Sequence, residues 1–357
     1  MAPDPDTPTR RVVLPGLTRP GIVVPVSRDS QGVLGPTKRQ ASGAGFRRTS
    51  RGFYVPSSVD AAVTEQRIVE AGAVLPRYGG VTGWAALRWQ GGAWFGGRAA
   101  DRTPIDVWLA TSVADVRPQA GFRVSAEGLD PRDLTVFDGL PVTTSIRSVV
   151  FEMRYAVGVR AAVEALDMAC FADLVSIAEV ATYVADHPAW TGIGQARAAL
   201  PLGREDSWSP QETQMGLVWQ LDAVLPRCRF NVPIFDMFGN HLGTVDMLDE
   251  EVGLALEYNG IVHVVGKQRR RDRDREEVLR RAGLHMLTFL EGDLPDRART
   301  VTRMREARLD AARSGGAARG WTTTPPRWWR DTSTVTARRA LSAYEQERLL
   351  RHRRLAS

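Results

Sequence analysis

The stretch GTVDMLDEEVGLALEYNG, residues 243–260, decides how this chain is read. Two apolar segments flank an acidic turn, Asp249, Glu250 and Glu251, and each segment carries one carboxylate: Asp246 before the turn and Glu257 after it. Side chains alternate along strands and a short connection folds one strand onto the next, so a hairpin brings the two carboxylates side by side. Two carboxylates converging on one edge of a sheet suit a hard divalent cation, magnesium above all. An arginine-rich segment follows, and a cation site beside a basic helix points to phosphodiester chemistry on nucleic acid.

Working outward, Ser209-Pro210-Gln211-Glu212 has the form of a helix start, with a capping serine, proline at the first helical position and glutamate at the third. The apolar spacing of Met215, Val218, Trp219 and Val224 predicts a helix to about residue 225. Strands are predicted over 230–235, 241–248 and 252–258, a helix over 270–282 ended by Gly283, and a further strand over 284–290. The order is helix, three strands, helix, strand, within a chain of α+β class.

The segments before and after are less regular. Residues 1–40 are rich in Pro, Gly, Ser and Thr and read as a flexible arm with one strand near 21–25. Residues 46–56 read as a basic hairpin turning at Gly52, followed by helices over 59–75 and 81–89. Residues 148–185 are helical by pattern, with a second helix starting near Asp173, and 201–206 form a linker. Beyond 308, the aromatic segment 321–329 is expected to fold back on a domain, and 337–355 to form a basic helix. The pattern divides the chain into an arm (1–40), a small hairpin and mostly helical part (41–200), an α-β-β-β-α-β part (205–300) and a basic extension (301–357).

Composition adds limits. A chain of 357 residues with 43% hydrophobic and 25% charged residues is long enough for two or three domains with cores of their own. The net charge of +6 invites a nucleic-acid partner, but Lys38 and Lys267 are the only lysines among 47 basic residues, a skew that looks like codon bias, so local clusters weigh more. Cys170 and Cys228 lie far apart with no metal-ligand spacing and read as packed thiols. No apolar run approaches a membrane span and residues 1–6 carry no leader-like pattern, so a cytoplasmic location with no membrane partner is expected.

The ordered set of motifs resembles the PD-(D/E)XK nuclease superfamily, and more closely its Vsr-like branch. The elements that carry the resemblance are Glu212 on the opening helix, Asp246, Glu257-Tyr258-Asn259-Gly260, His263, Asp272, Arg275, Leu279, Gly283 and the apolar strand that follows. The resemblance covers about a quarter of the chain and implies a restriction-endonuclease-like α-β-β-β-α-β domain with Mg2+-dependent cleavage of DNA. It implies that Asp246 and Glu257 hold the magnesium, that Glu212 completes the shell or orients a water, and that His263 acts as general acid or base. Gly260 would let the backbone approach a phosphate, and Arg269, Arg270, Arg271, Arg273 and Arg275 would grip the DNA backbone.

Bland readings stand beside these. Glu212 serves as a capping residue without any metal, Asp272 with Arg275 as an ordinary helix ion pair, and the arginine helix as a solvated face. The superfamily's lysine after the glutamate is absent, and the closer branch's aspartate is Asn259, which keeps an oxygen ligand but loses a charge.

The N-terminal part resembles the AbiEi-type antitoxin family, on Arg51, Gly52, Tyr54 and Pro56, then Thr82, Ala85 and Leu87, then Leu140-Pro141-Val142-Thr143-Thr144 with Arg147 and Ser148. That family's recognition helices are not evident here, since residues 33–45 are short and glycine-rich. This resemblance implies a small winged-helix-like first part and a protein partner of toxin type, and the resemblance to the nucleases makes 205–300 a nuclease-like domain. The competing function is thus a non-catalytic DNA-binding regulator with a degenerate nuclease fold, or an interaction scaffold. The sequence leaves oligomeric state open.

Overall fold

A computed structural model describes residues 16–112, 116–260, 267–314, 319–351 and 353, with 267–273 described by backbone alone. The chain forms two compact units, Met1–Ala156 with Thr182–Ile193, and Val157–Ala181 with Gly194–Ser357. The division falls at 156/157, where the sequence pattern placed it near 200.

The first unit begins with β1 (Val26–Ser27), α1 (Lys38–Ala41), β2 (Phe46–Ser50) and β3 (Phe53–Pro56), which make a three-stranded sheet of order β1-β3-β2. Gly52, at φ 87°, supplies the turn between β2 and β3, as expected. Residues 16–40 are not the loose arm that composition suggested. The Arg19 guanidinium stacks 3.7 Å over the Trp89 ring and pairs with Asp138, and the Gln66 side chain binds both the N–H and the carbonyl of Val23. The single strand lies at Val26–Ser27, just past 21–25.

Then follow α2 (Thr64–Gly72), β4 (Gly79–Thr82), α3 (Gly83–Trp89), β5 (Val107–Thr111), β6 (Phe122–Ser125), β7 (Leu134–Phe137), β8 (Leu140–Thr143) and α4 (Ser145–Tyr155). A five-stranded sheet of order β6-β5-β4-β8-β7 runs through this region, which the sequence had suggested was mostly helical. The reason is local. β4 reads Gly79-Gly80-Val81-Thr82, fully buried and without apolar alternation. A Cβ on Gly80 would lie 2.9 Å from the Val142 backbone, so glycine is what lets β8 come this close.

The helical run 148–185 is broken into α4, α5 (Val159–Phe171) and α6 (Ile177–Asp186) by Gly158, at φ 146°, and by the turn through Asp173, at φ 57°. A short α7 (Ile193–Ala199) leads into the second unit's central layer.

There the expected order appears with boundaries moved by a few residues: α8 (Pro210–Leu217), β9 (Arg229–Asp236), β10 (His241–Asp249), β11 (Leu254–Asn259), α9 (Lys267–Arg281) and β12 (His285–Leu290). α8 ends early, running on into a π-helical turn over Val218–Asp222. The sheet order is β12-β11-β10-β9-β13, with β13 (Trp321–Thr322) folding back on β9. β9, β10 and β11 form an antiparallel meander, whereas β11 and β12 are parallel. A parallel pair needs a crossover, and α9 provides it.

One core gathers Met215, Trp219, Phe230, Met247, Leu256 and Phe289 with Met304 of α10 (Arg297–Arg313), a helix the sequence reading did not anticipate. A second gathers Val232, Val245, Ala255, Leu279, Leu284 and Trp321. The basic segment 337–355 forms two short helices, α11 (Val335–Arg339) and α12 (Ala343–Leu349), split where Ser342 and Glu345 start α12 with a capping box. Arg338 is buried and pairs with Asp173 at 2.6 Å, which ties this extension down within its unit. Among the described residues no helix is long and apolar enough to cross a membrane.

Candidate active site at a strand fork

The β10–β11 ladder runs Asp249↔Leu254, Leu248↔Ala255, Met247↔Leu256 and stops. The next residue on each strand is an acid, Asp246 and Glu257. Here the strands part, and the Tyr258 N–H turns to the Asp246 carboxylate, donating to Oδ2 at 2.8 Å. The two acids read from residues 243–260 thus occupy the next position on each strand after the last ladder pair, at a fork.

Arg275 of α9 reaches into the fork. Its Nη2 lies 3.0 Å from both oxygens of Glu257, and its Nη1 donates to the Thr244 carbonyl at 2.6 Å. Its stem crosses β10 at Gly243, where a Cβ would stand only 3.1 Å from Arg275 Cγ. Arg275 was read as a residue gripping DNA phosphates. In the structure it is committed to Glu257, whose side chain is almost wholly buried.

Glu212 stands at the start of α8. The Ser209 hydroxyl accepts from the Glu212 N–H at 3.2 Å, the cap expected from the sequence. The return half of a capping box is not made, because the Glu212 carboxylate reaches past Ser209 to the Trp208 N–H at 2.8 Å. It also accepts from the Ser209 hydroxyl at 3.0 Å and from Asn231 Nδ2 at 2.7 Å. With both oxygens engaged, Glu212 is a neighbour of the fork rather than a free ligand.

The electrostatics follow from crowding. Burial, and then the nearby charge of Asp246, push Glu212 up to about 8. Burial also raises Asp246, opposed by the Tyr258 N–H and by Arg275. Glu212 and Asp246 are two buried acids, and the charge of one raises the other, so near neutral pH the pair keeps a proton that exposed carboxylates would have lost. Crowded negative charge of this kind is what a divalent cation relieves.

The fit to magnesium rests on the acid pair. Among the described residues no group of three or more His, Cys, Asp and Glu is placed to hold a metal ion. Asp246 and Glu257 remain, and magnesium accepts two carboxylates with waters filling its shell.

The other sequence candidates fall in three groups. Asn259 is exposed at the end of β11, two residues from Glu257. Gly260 follows it, and a Cβ there would meet nothing closer than Tyr258 Cε1 at 3.8 Å, so the fold's packing does not demand glycine. His263 lies outside the described residues, and Arg269, Arg270, Arg271 and Arg273 are placed on α9 by backbone alone.

Asn231 was missed. It sits inside β9 at φ 44°, and its Nδ2 donates to the Asp206 carbonyl at 2.7 Å as well as to Glu212. Among the described residues its Oδ1 is buried without a hydrogen-bond partner. A lone asparagine in the apolar strand pattern Phe230–Phe235 was the available signal, since asparagine is depleted in strands.

No family model matches the chain, and neither does any curated protein or solved structure.

Proposed function

We propose that the second unit is a magnesium-dependent DNA endonuclease domain of the Vsr-like kind, within the PD-(D/E)XK superfamily. The observation that carries this reading is the fork, where Asp246 and Glu257 follow the last ladder pair and Glu212 lies close enough to feel the charge of Asp246. The helix, three-strand meander, helix and parallel fourth strand around it are the arrangement that the resemblance implies.

Asp246 and Glu257 would hold the ion, which supplies charge stabilisation at the phosphate and a more acidic water. Arg275 fixes the Glu257 carboxylate through two contacts with one oxygen pair and anchors itself on Thr244. Trp208, Ser209 and Asn231 hold Glu212, which near neutral pH can give up or take a proton at the edge of the fork. His263 is proposed as a second proton-transfer group, and the arginines of α9 as the contact to the phosphate backbone.

One observation favours a second reading, a DNA-binding regulator without cleavage. The acid two residues after Glu257 is replaced by Asn259, which removes one charge from the cation's surroundings. In that reading the first unit is the antitoxin-like partner-binding module; of its basic hairpin, Arg47 is already tied to Glu70.

Nicking of supercoiled DNA across a magnesium series separates the two. Cleavage by the wild type that disappears in Asp246→Ala, with folding intact, supports the enzyme. No cleavage on supercoiled, linear and single-stranded DNA would remove it.

A further inference from the structure

A cavity of about 420 Å3 opens beside the fork, walled by β9, β10 and the C-terminal segment of the second unit. That volume lies within the range of small-ligand sites, roughly 300–1,000 Å3. One wall is aromatic. Trp329 lies 5.0 Å from Phe235, 5.0 Å from His241 and 5.6 Å from Trp328, measured between ring centroids. Trp328 is nevertheless 63% exposed, an unusual state for a tryptophan at a cavity mouth. Arg330 and Arg348 add positive charge at the rim, and Asp206 and Asn231 add polar groups to the wall.

The cavity and the acids share residues. Asn231 lines the cavity and binds Glu212, and Thr244 lines it while its carbonyl anchors Arg275, the partner of Glu257. The β9–β10 turn stands at the same end. Its Gly239 packs near Pro326, just before the two tryptophans, and its Met237 and Phe238 are 67% and 92% exposed. Exposed apolar side chains on a tight turn are the form of a wedge that parts stacked bases.

We propose that this cavity takes one unstacked nucleobase from the DNA strand whose phosphate lies at the acid fork, so that the substrate is DNA carrying an unpaired or extruded nucleotide. The inference rests on the endonuclease reading for the strand's placement. The tryptophans offer the stacking face, which any base can use, while Asp206 meets its polar edge. Arg330 and Arg348 face the flanking phosphates. Met237 and Phe238 occupy the gap that the extruded base leaves in the stack.

The test is binding without cleavage. Full-length protein in EDTA is titrated with a duplex carrying a single-nucleotide bulge of 2-aminopurine, and with the same duplex fully paired. The bulged duplex is expected to bind at least tenfold tighter, with 2-aminopurine emission quenched as the base stacks on tryptophan. Trp328→Ala, at an exposed position, should lose that preference and the quenching while keeping the affinity for paired duplex. Phe238→Ala should weaken the bulged duplex alone.

Equal affinity for both duplexes, or a loss in Trp328→Ala that is the same for both, overturns the proposal. So does tighter binding of a bulged RNA duplex than of the bulged DNA. If the preference holds in EDTA and yet the wild type never cleaves with magnesium, the endonuclease reading falls and the base pocket stands.

Discussion

Replacing Glu212 by glutamine tests the charge crowding at the fork. Glutamine keeps the shape and all three contacts: its oxygen accepts from Trp208 and Asn231, and its amide donates to the Ser209 hydroxyl, which can turn to accept. What changes is titration. The folded chain holds a proton on Glu212 up to about pH 8, against an ordinary value of 4.5. Within that window the unfolded chain has already lost its proton, so wild-type stability falls as pH rises and levels off above pH 8. Each pH unit costs about 1.4 kcal/mol, so the whole window amounts to about 5 kcal/mol; because Asp246 shares the titration, we expect roughly half of that.

Glu212→Gln lacks this dependence. Urea denaturation followed from pH 5 to pH 9 should find the variant equal to wild type at pH 5 and about 2–3 kcal/mol more stable at pH 8.5. Other buried acids, Asp167 among them, tilt both curves alike, so the difference between them is the quantity to read. Parallel curves would refute the reasoning.

Three further outcomes are expected. Arg275→Met removes the guanidinium that binds the buried Glu257 carboxylate and should cost about 3 kcal/mol in urea denaturation; a change below about 0.5 kcal/mol would mean that this pair contributes little to the fold. A Cβ on Gly216 would lie 2.4 Å from Phe230 Cζ, so Gly216→Val should lower stability by about 2 kcal/mol, and an unchanged melting temperature would show that α8 can move off β9. Asn259→Asp adds a negative charge near the fork, and the magnesium concentration for half-maximal nicking should fall about tenfold; no shift would place residue 259 beyond the ion's reach.

The second unit's central elements were legible because each has a local signature. Ser209 and Pro210 mark the start of α8, the acidic turn separates β10 from β11, and Gly283 ends α9. The alternation of apolar residues in β9 to β11 then fixes the register, and with it the place of Asp246 and Glu257 just beyond the last ladder pair. Arg275 was not legible in its role. Among alternating charges on a helix, nothing local marks an arginine whose stem crosses Gly243 to reach a buried glutamate. Asn231 is likewise a tertiary choice, since a positive φ inside a strand leaves no pattern. In the first unit, β4 lacks alternation because Gly79 and Gly80 serve close strand approach. The chain near Arg19 and Val23 is ordered by side chains of Trp89 and Gln66, far away in sequence. α10 carries so many arginines that its buried stripe, Thr300, Met304 and Ala311, is sparse.

Locating the cation on the polypeptide tests the central claim most directly. Fe2+ exchanged into a magnesium site generates hydroxyl radicals on addition of ascorbate and peroxide, and these cut the nearest backbone. Mass spectrometry of the fragments should place the cuts around residues 244–247 and 256–260, suppressed by excess magnesium and absent in Asp246→Asn. Cuts elsewhere in the chain, or cuts at the fork that persist in Asp246→Asn, would contradict a cation held by Asp246 and Glu257.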